Sequence, residues 1–180
     1  MNRLARFITG CLIPRPLERH DMKNELFGEL TFGNGLEGYS SITLYGTTEQ
    51  IDLVVNCEEG EKITDAQRAS YMEYKRNVAK LLKDIEEGIF IYYKTIYKEY
   101  QQQYAEAPEE IDQRVPTVSY PEDMKRLVKP TSFIIDYDFN DGDPIHMGVL
   151  FNCTWDPSHG IAAVIISGEV VEITTQDNFL

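Results

Sequence analysis

Basic residues are scarce in this chain. Seventeen Lys and Arg stand against thirty Asp and Glu, and the formal net charge is −13 over 180 residues. A surface of that sign repels phosphate backbones, so no nucleic-acid partner is expected. It would attract a basic protein and speed the encounter, and it also serves plain solubility. Cysteine is nearly missing too. Cys11, Cys57 and Cys153 are odd in number and form no CxxC. That argues against a disulfide framework and a structural zinc site, and fits a reducing, cytoplasmic setting. No apolar run approaches the length of a membrane span, so no membrane partner is expected. There is no internal repeat and no low-complexity tract. Tryptophan occurs once, as Trp155, against eleven tyrosines.

What is present first needs a boundary. Ile8-Thr9-Gly10-Cys11 has the look of a lipoprotein cleavage box behind Arg3 and Arg6. The apolar stretch before it is shorter than the roughly 7–15 residues a signal core needs. "MKNELFGEL" at residue 22 reads like a natural start ahead of the first strand. The expectation is an appendage over 1–21 and a single domain over 22–180.

Within that domain the apolar period is two, then near 3.6, then two again. "LFGELTFG" (26–33), "YSSITLYG" (39–46) and "IDLVVNC" (51–57) read as strands of an antiparallel meander, with Asn34-Gly35 as a hairpin and "TTEQ" as a turn. Thr64 is a natural N-cap, and Gln67 three residues on completes a capping box. Apolar residues then recur in steps of three or four from Tyr71 through Leu81, Ile85 and Ile89 to Tyr100. The pattern over 64–104 would make a helix roughly 60 Å long. Gly88 is its weak point, and a bend or break is expected there; the alternative is a continuous helix whose tyrosine-rich second half projects past the sheet. A proline-punctuated connector follows, with a short helix in "YPEDMKRLV". Strands return at 131–139, 145–155, 161–167 and 169–174. Three strands, a long or broken helix plus a short one, then four strands describe an α+β domain: an antiparallel sheet of about seven strands with helices on one face.

Three groups of residues invite chemistry. "DYDFNDGDP" clusters Asp136, Asp138, Asn140, Asp141 and Asp143 like a calcium loop. The EF-hand spacing fails, because its sixth position falls on Asp141 and its twelfth on Met147. A hairpin turn demands the same residue types. Second, "FNCTWDPSHG" (151–160) gathers Cys153, Trp155, Asp156 and His159. Cys153 as nucleophile, His159 as base and Asp156 as its orienter would make an enzyme; adding His146 would make a metal site. Alternation puts Cys153 on the face of Phe151 and Val149, the core face, where a thiol is inert, and puts His146 on the other face. The plainer reading is a type I turn over Asp156-Pro157-Ser158-His159 closed by Gly160. Third, Tyr93, Tyr97, Tyr100 and Tyr104 form a second helical ridge, suited to an interface or to ordinary half-buried packing.

"FGELTF", "TDAQRASYMEY", "CTWDPSHG" and "GEVVEITTQDNFL" together resemble an uncharacterised bacterial domain family. Its members end in a Cys-Thr-Trp-Asp-x-Glu-His-Gly hairpin, a strand and a Gln-Asp pair. The resemblance spans most of 25–178. Ser158 stands where the family carries an acid, and Ala162-Ala163 where it carries a Leu-Gly-Val run. The family has no established activity; its members resemble small proteins encoded near polymorphic toxins, which implies an immunity role. The expectation is therefore a protein-binding module for a basic partner such as a toxin, without a cofactor, a metal or an assigned catalytic residue. Trp155, Asp156, His159 and Asp177 are the binding candidates. The rival is an enzyme or metal protein on the same hairpin, which needs a second polar group, Asp177 or Gln176.

Overall fold

The computed structural model describes residues 22–137 and 142–180. The expectations about 1–21, the cleavage box among them, and about Asp138, Asn140 and Asp141 of the calcium reading lie outside the described residues.

Four strands precede the long helix: β1 (Met22–Asn24), β2 (Gly28–Phe32), β3 (Leu36–Leu44) and β4 (Thr47–Val55). The helix is α1, Asp65–Gln103. A shorter α2 (Pro108–Arg114) and a 3-10 turn (Pro121–Arg126) lead into β5 (Val128–Ile135), β6 (Met147–Cys153), β7 (Ile161–Ile166) and β8 (Glu169–Thr175), and the chain closes on α3 (Gln176–Phe179). All eight strands form one sheet in chain order. The α+β architecture is as the sequence implied, with one more strand, β1, paired to β2.

Four details differ from the sequence reading. The sheet is not wholly antiparallel, because β4 and β5 run parallel. The connection between them carries a long helix across the sheet, and such a crossover returns the chain in the same direction. The turn before β4 is Tyr45-Gly46, both at positive φ, and "TTEQ" is strand. The connector holds α2, whose Pro108-Glu109-Glu110 start is a helix signal that the surrounding prolines obscured. Finally, not all helices share one face: Phe179 of α3 packs with Ile134, Leu150 and Ala162, opposite the main core.

The helix α1 is continuous through Gly88. Its capping box is formed: Thr64 Oγ accepts from the Gln67 N–H at 3.1 Å, and Gln67 Oε1 accepts from the Thr64 N–H at 3.0 Å. Gln67 is itself buried, and its amide donates to the carbonyls of Asn56 (2.8 Å) and Asp136 (2.9 Å), tying the helix start to the ends of β4 and β5. Tyr71, Tyr74, Leu81, Ile85, Ile89 and Tyr93 lie on the sheet. Burying that row outweighs the roughly 1 kcal/mol cost of one interior glycine. Gly88 also has a positive use. A Cβ there would stand 3.0 Å from Ile173 of β8, so the missing side chain lets helix and strand approach.

Candidate functional site

The hairpin between β6 and β7 is organised by one carboxylate. Asp156 Oδ2 accepts from the Tyr100 hydroxyl at 2.9 Å; Oδ1 accepts from the His159 N–H at 3.3 Å and lies 2.9 Å from His159 Nδ1. Its main-chain carbonyl accepts from the Gly160 N–H at 2.9 Å and from the Cys153 thiol at 3.3 Å. The turn is thus closed one residue later than a type I turn, with the Asp156 side chain taking the His159 N–H in place of a carbonyl. Gly160 is obligatory here. Its φ is +62°, and a Cβ would fall 2.3 Å from the Gln176 amide and 2.5 Å from the Phe151 carbonyl. Gln176 crosses that space to donate to Phe151 at 2.9 Å.

The four binding candidates separate. Trp155 is 1% exposed, so it offers a partner no surface. Its ring lies 4.8 Å from that of Tyr93, and it holds the hairpin onto α1. Asp156, His159 and Asp177 do come together. His159 Nε2 lies 3.8 Å from Asp177 Oδ2, so the half-exposed imidazole sits between a shielded carboxylate and an exposed one. The Asp156 contacts, bond first and charge second, push the His159 ring above its ordinary value of 6.5, and Asp177 adds to this. Partial burial pushes the Asp156 carboxyl up; the bonds from His159 and Tyr100 outweigh it and hold the group below 3.8.

This geometry does not assemble a nucleophile. Cys153 is buried, burial pushes its thiol up to about 12, and its partner is the Asp156 carbonyl. His146 is exposed at the far end of β6. No group of three or more His, Cys, Asp or Glu among the described residues is placed to hold a metal ion. The tyrosine ridge is packing: Tyr93 donates to Pro116 at 2.7 Å, Tyr100 holds Asp156, and Arg114 lies over the Tyr104 ring. The second half of α1 is covered by the hairpin and the connector, so it does not project as a free arm.

A different surface was missed from the sequence. The side chains of β3 and β4 alternate, and Ile42, Leu44, Ile51 and Leu53 face the core while Tyr39 and Asp52, paired across the strands, face outward. Tyr39 is 69% exposed. With Glu37, Val54 and Ser132 they line a trough of about 450 Å³. The charge pattern is one-sided. From Asn24 to Glu61 the chain carries no Lys, Arg or His, while Glu25, Glu29, Glu37, Glu49 and Asp52 precede the acidic run at Glu58, Glu59 and Glu61. That gap in basic residues was the available signal.

The family model of a domain of unknown function (DUF6985) matches residues 26–180. The chain belongs to that family. The matched span of DUF6985 takes in β2 through α3, and so both the hairpin and the acidic sheet face. No curated protein and no solved structure matches the chain. No helix among the described residues is long and apolar enough to cross a membrane.

Proposed function

We propose that this protein is a binding module for a basic protein, and that the outer face of β2–β4, which no described residue covers, receives the partner. The carrying observation is the exposed Tyr39 set beside Glu37 and Asp52 in a 38-residue stretch, 24–61, without a single basic side chain. Exposed tyrosines serve interfaces because they bring contact area with little rotamer entropy, and like-signed carboxylates around one steer a basic partner into place. The finer reading is an immunity protein acting on a basic toxin in the cytoplasm. It rests on the family resemblance set out from the sequence, to which the charge adds support. The hairpin then has a supporting role, with His159 and Asp177 at its rim.

The test is affinity capture with the tagged full chain from lysate of the source organism. A parallel capture uses the Glu37→Gln/Tyr39→Ala/Asp52→Asn variant. The expected result is a stoichiometric basic protein that the variant loses and that added salt releases. A partner held equally by the variant, or an acidic one, would overturn the assignment of this face. Asp156→Asn in the same assay separates the rival reading, since an enzyme or binding site on the hairpin would lose its partner there while keeping the sheet face intact.

A further inference from the structure

The parallel junction at the middle of the sheet is incomplete. Pairing joins Asp52–Val55 to Ser132–Ile135 and stops. Yet β4 runs back to Thr47, still paired to β3 on its other side, and β5 runs back to Val128, still paired to β6. The two strands therefore part toward their N-terminal ends. The cause is local to β5: Pro130 has no N–H to donate, and the register slips between Pro130 and Ser132. A cavity of about 440 Å³ occupies the split. That volume is in the range of small-molecule sites, roughly 300–1,000 Å³.

Its walls have two characters. Leu44, Leu127, Val128 and Pro130 make the apolar part. Lys125, Arg126 and Lys129 also line it, against one carboxylate, Glu49. None of the three cations lies within 4.0 Å of a carboxylate among the described residues. Arg126 acts on the Asp123 carboxylate beside it, and Glu122 lies near enough to act on Tyr45, yet among the lining residues themselves three cations stand against one carboxylate, on a chain of net charge −13. Thr47 and the end of β6 with Thr154 complete the lining together with Tyr45, the first residue of the β3–β4 turn, at φ +47°. Asn or Gly usually takes that place, because a side chain is strained there. Glu86 of α1 holds the strained residue: its carboxylate accepts the Tyr45 N–H, and its main-chain carbonyl accepts the Tyr45 hydroxyl at 3.4 Å. The Glu86 carboxylate is thereby turned to the turn's backbone.

We infer that the split between β4 and β5 is a binding site for a small anion with an apolar body. Its carboxylate or phosphate is received by Lys125, Arg126 and Lys129, and its carbon skeleton lies against Leu44, Leu127 and Pro130. The site shares no lining residue with the trough around Tyr39, so it stands independently of the partner proposed above.

The experiment is an amide-resolved NMR titration of the full chain with octanoate and with octyl phosphate, 1-octanol serving as the neutral control. The two anions distinguish a carboxylate from a phosphate ligand. The expected result is saturable shifts at Leu44, Tyr45, Leu127 and Val128 with at least one anion, at about millimolar concentration or below. The Lys125→Gln/Arg126→Gln/Lys129→Gln variant should weaken that anion about tenfold, with an unchanged thermal midpoint because all three side chains are exposed. No saturable shift up to about 10 mM of either anion, equal affinity in the variant, or equal binding of octanol overturns the inference.

Discussion

The two halves of the sheet meet at one parallel junction and are built differently. In β6 every residue but Asn152 is buried, and β7 is buried throughout except for half-buried Ile166. In β3 and β4 buried and open positions alternate. The helix α1 covers the inner face of both halves. The difference is on the outer face, where, among the described residues, the C-terminal half has a cover and the N-terminal half has none. The cover is small. Phe179, from a four-residue helix, lies against Gly148, where a Cβ would come within 2.5 Å of its ring. Two consequences follow from where that one ring sits. Strands buried on both faces can be almost wholly apolar, and those open on one face must be polar there. The half left open by the described residues is the acidic one, which is why the proposed partner is placed there.

The contrast breaks most visibly at Trp155. Trp155→Ala should cost about 3–5 kcal/mol in chemical denaturation, as a fully buried aromatic does. Tyr39→Ala on the open half should stay within about 0.5 kcal/mol. Similar losses from both would mean that the halves are not distinct in the way described. Next in size is the outer cover. Phe179→Ala should cost about 1–2 kcal/mol and speed amide exchange in β6 and β7 while leaving β3 unchanged. Gly148→Ala should mimic it by displacing the ring, and the double variant should be less than additive.

A smaller effect sharpens the role of the hairpin. The pKa of His159 is raised by folding, so its contribution is complete below about pH 6.5 and is lost as pH rises through the higher folded value. That of Asp156 is lowered, so its contribution is present above about pH 3.8 and is lost as pH falls through the lower folded value. The pair is therefore strongest between about pH 4 and 6.5, and thermal midpoints should fall on the alkaline side as the imidazole loses its proton. Asp156→Asn should flatten that dependence; an unchanged profile would remove the pair from the account. Smallest is Gly88→Ala, expected within about 1 kcal/mol, because better helix propensity opposes the close Ile173 side chain.

Much of this was legible along the chain. Period-two and period-3.6 patterns located the helix and most strands, since burial of one face imposes its spacing on the residues themselves. Thr64 and Gln67 marked the helix start because a cap is a local hydrogen-bond problem with a local answer. Asp156 and Gly160 marked the turn for the same reason. The turn at Tyr45-Gly46 was misplaced because a tyrosine at positive φ is held there by Glu86, forty-one residues away. At Gly88 the sequence favours a bend over its alternative, a continuous helix; the continuous form holds because the neighbour there is β8, far along the chain. Trp155 was a binding candidate on chemistry, and only its contact with Tyr93 shows that it is spent on packing.

The sequence by itself determined the order of the long helix and the seven main strands, the α+β class, the core face of the main strands and the acidity of the first ones. Those follow from interactions within a few residues or from composition. The tertiary structure alone decided that β4 and β5 run parallel and then part, that Phe179 covers one half of the sheet, and that Asp177 comes within reach of His159. Each depends on residues far apart in the chain, whose distance is set by packing and leaves no periodic trace.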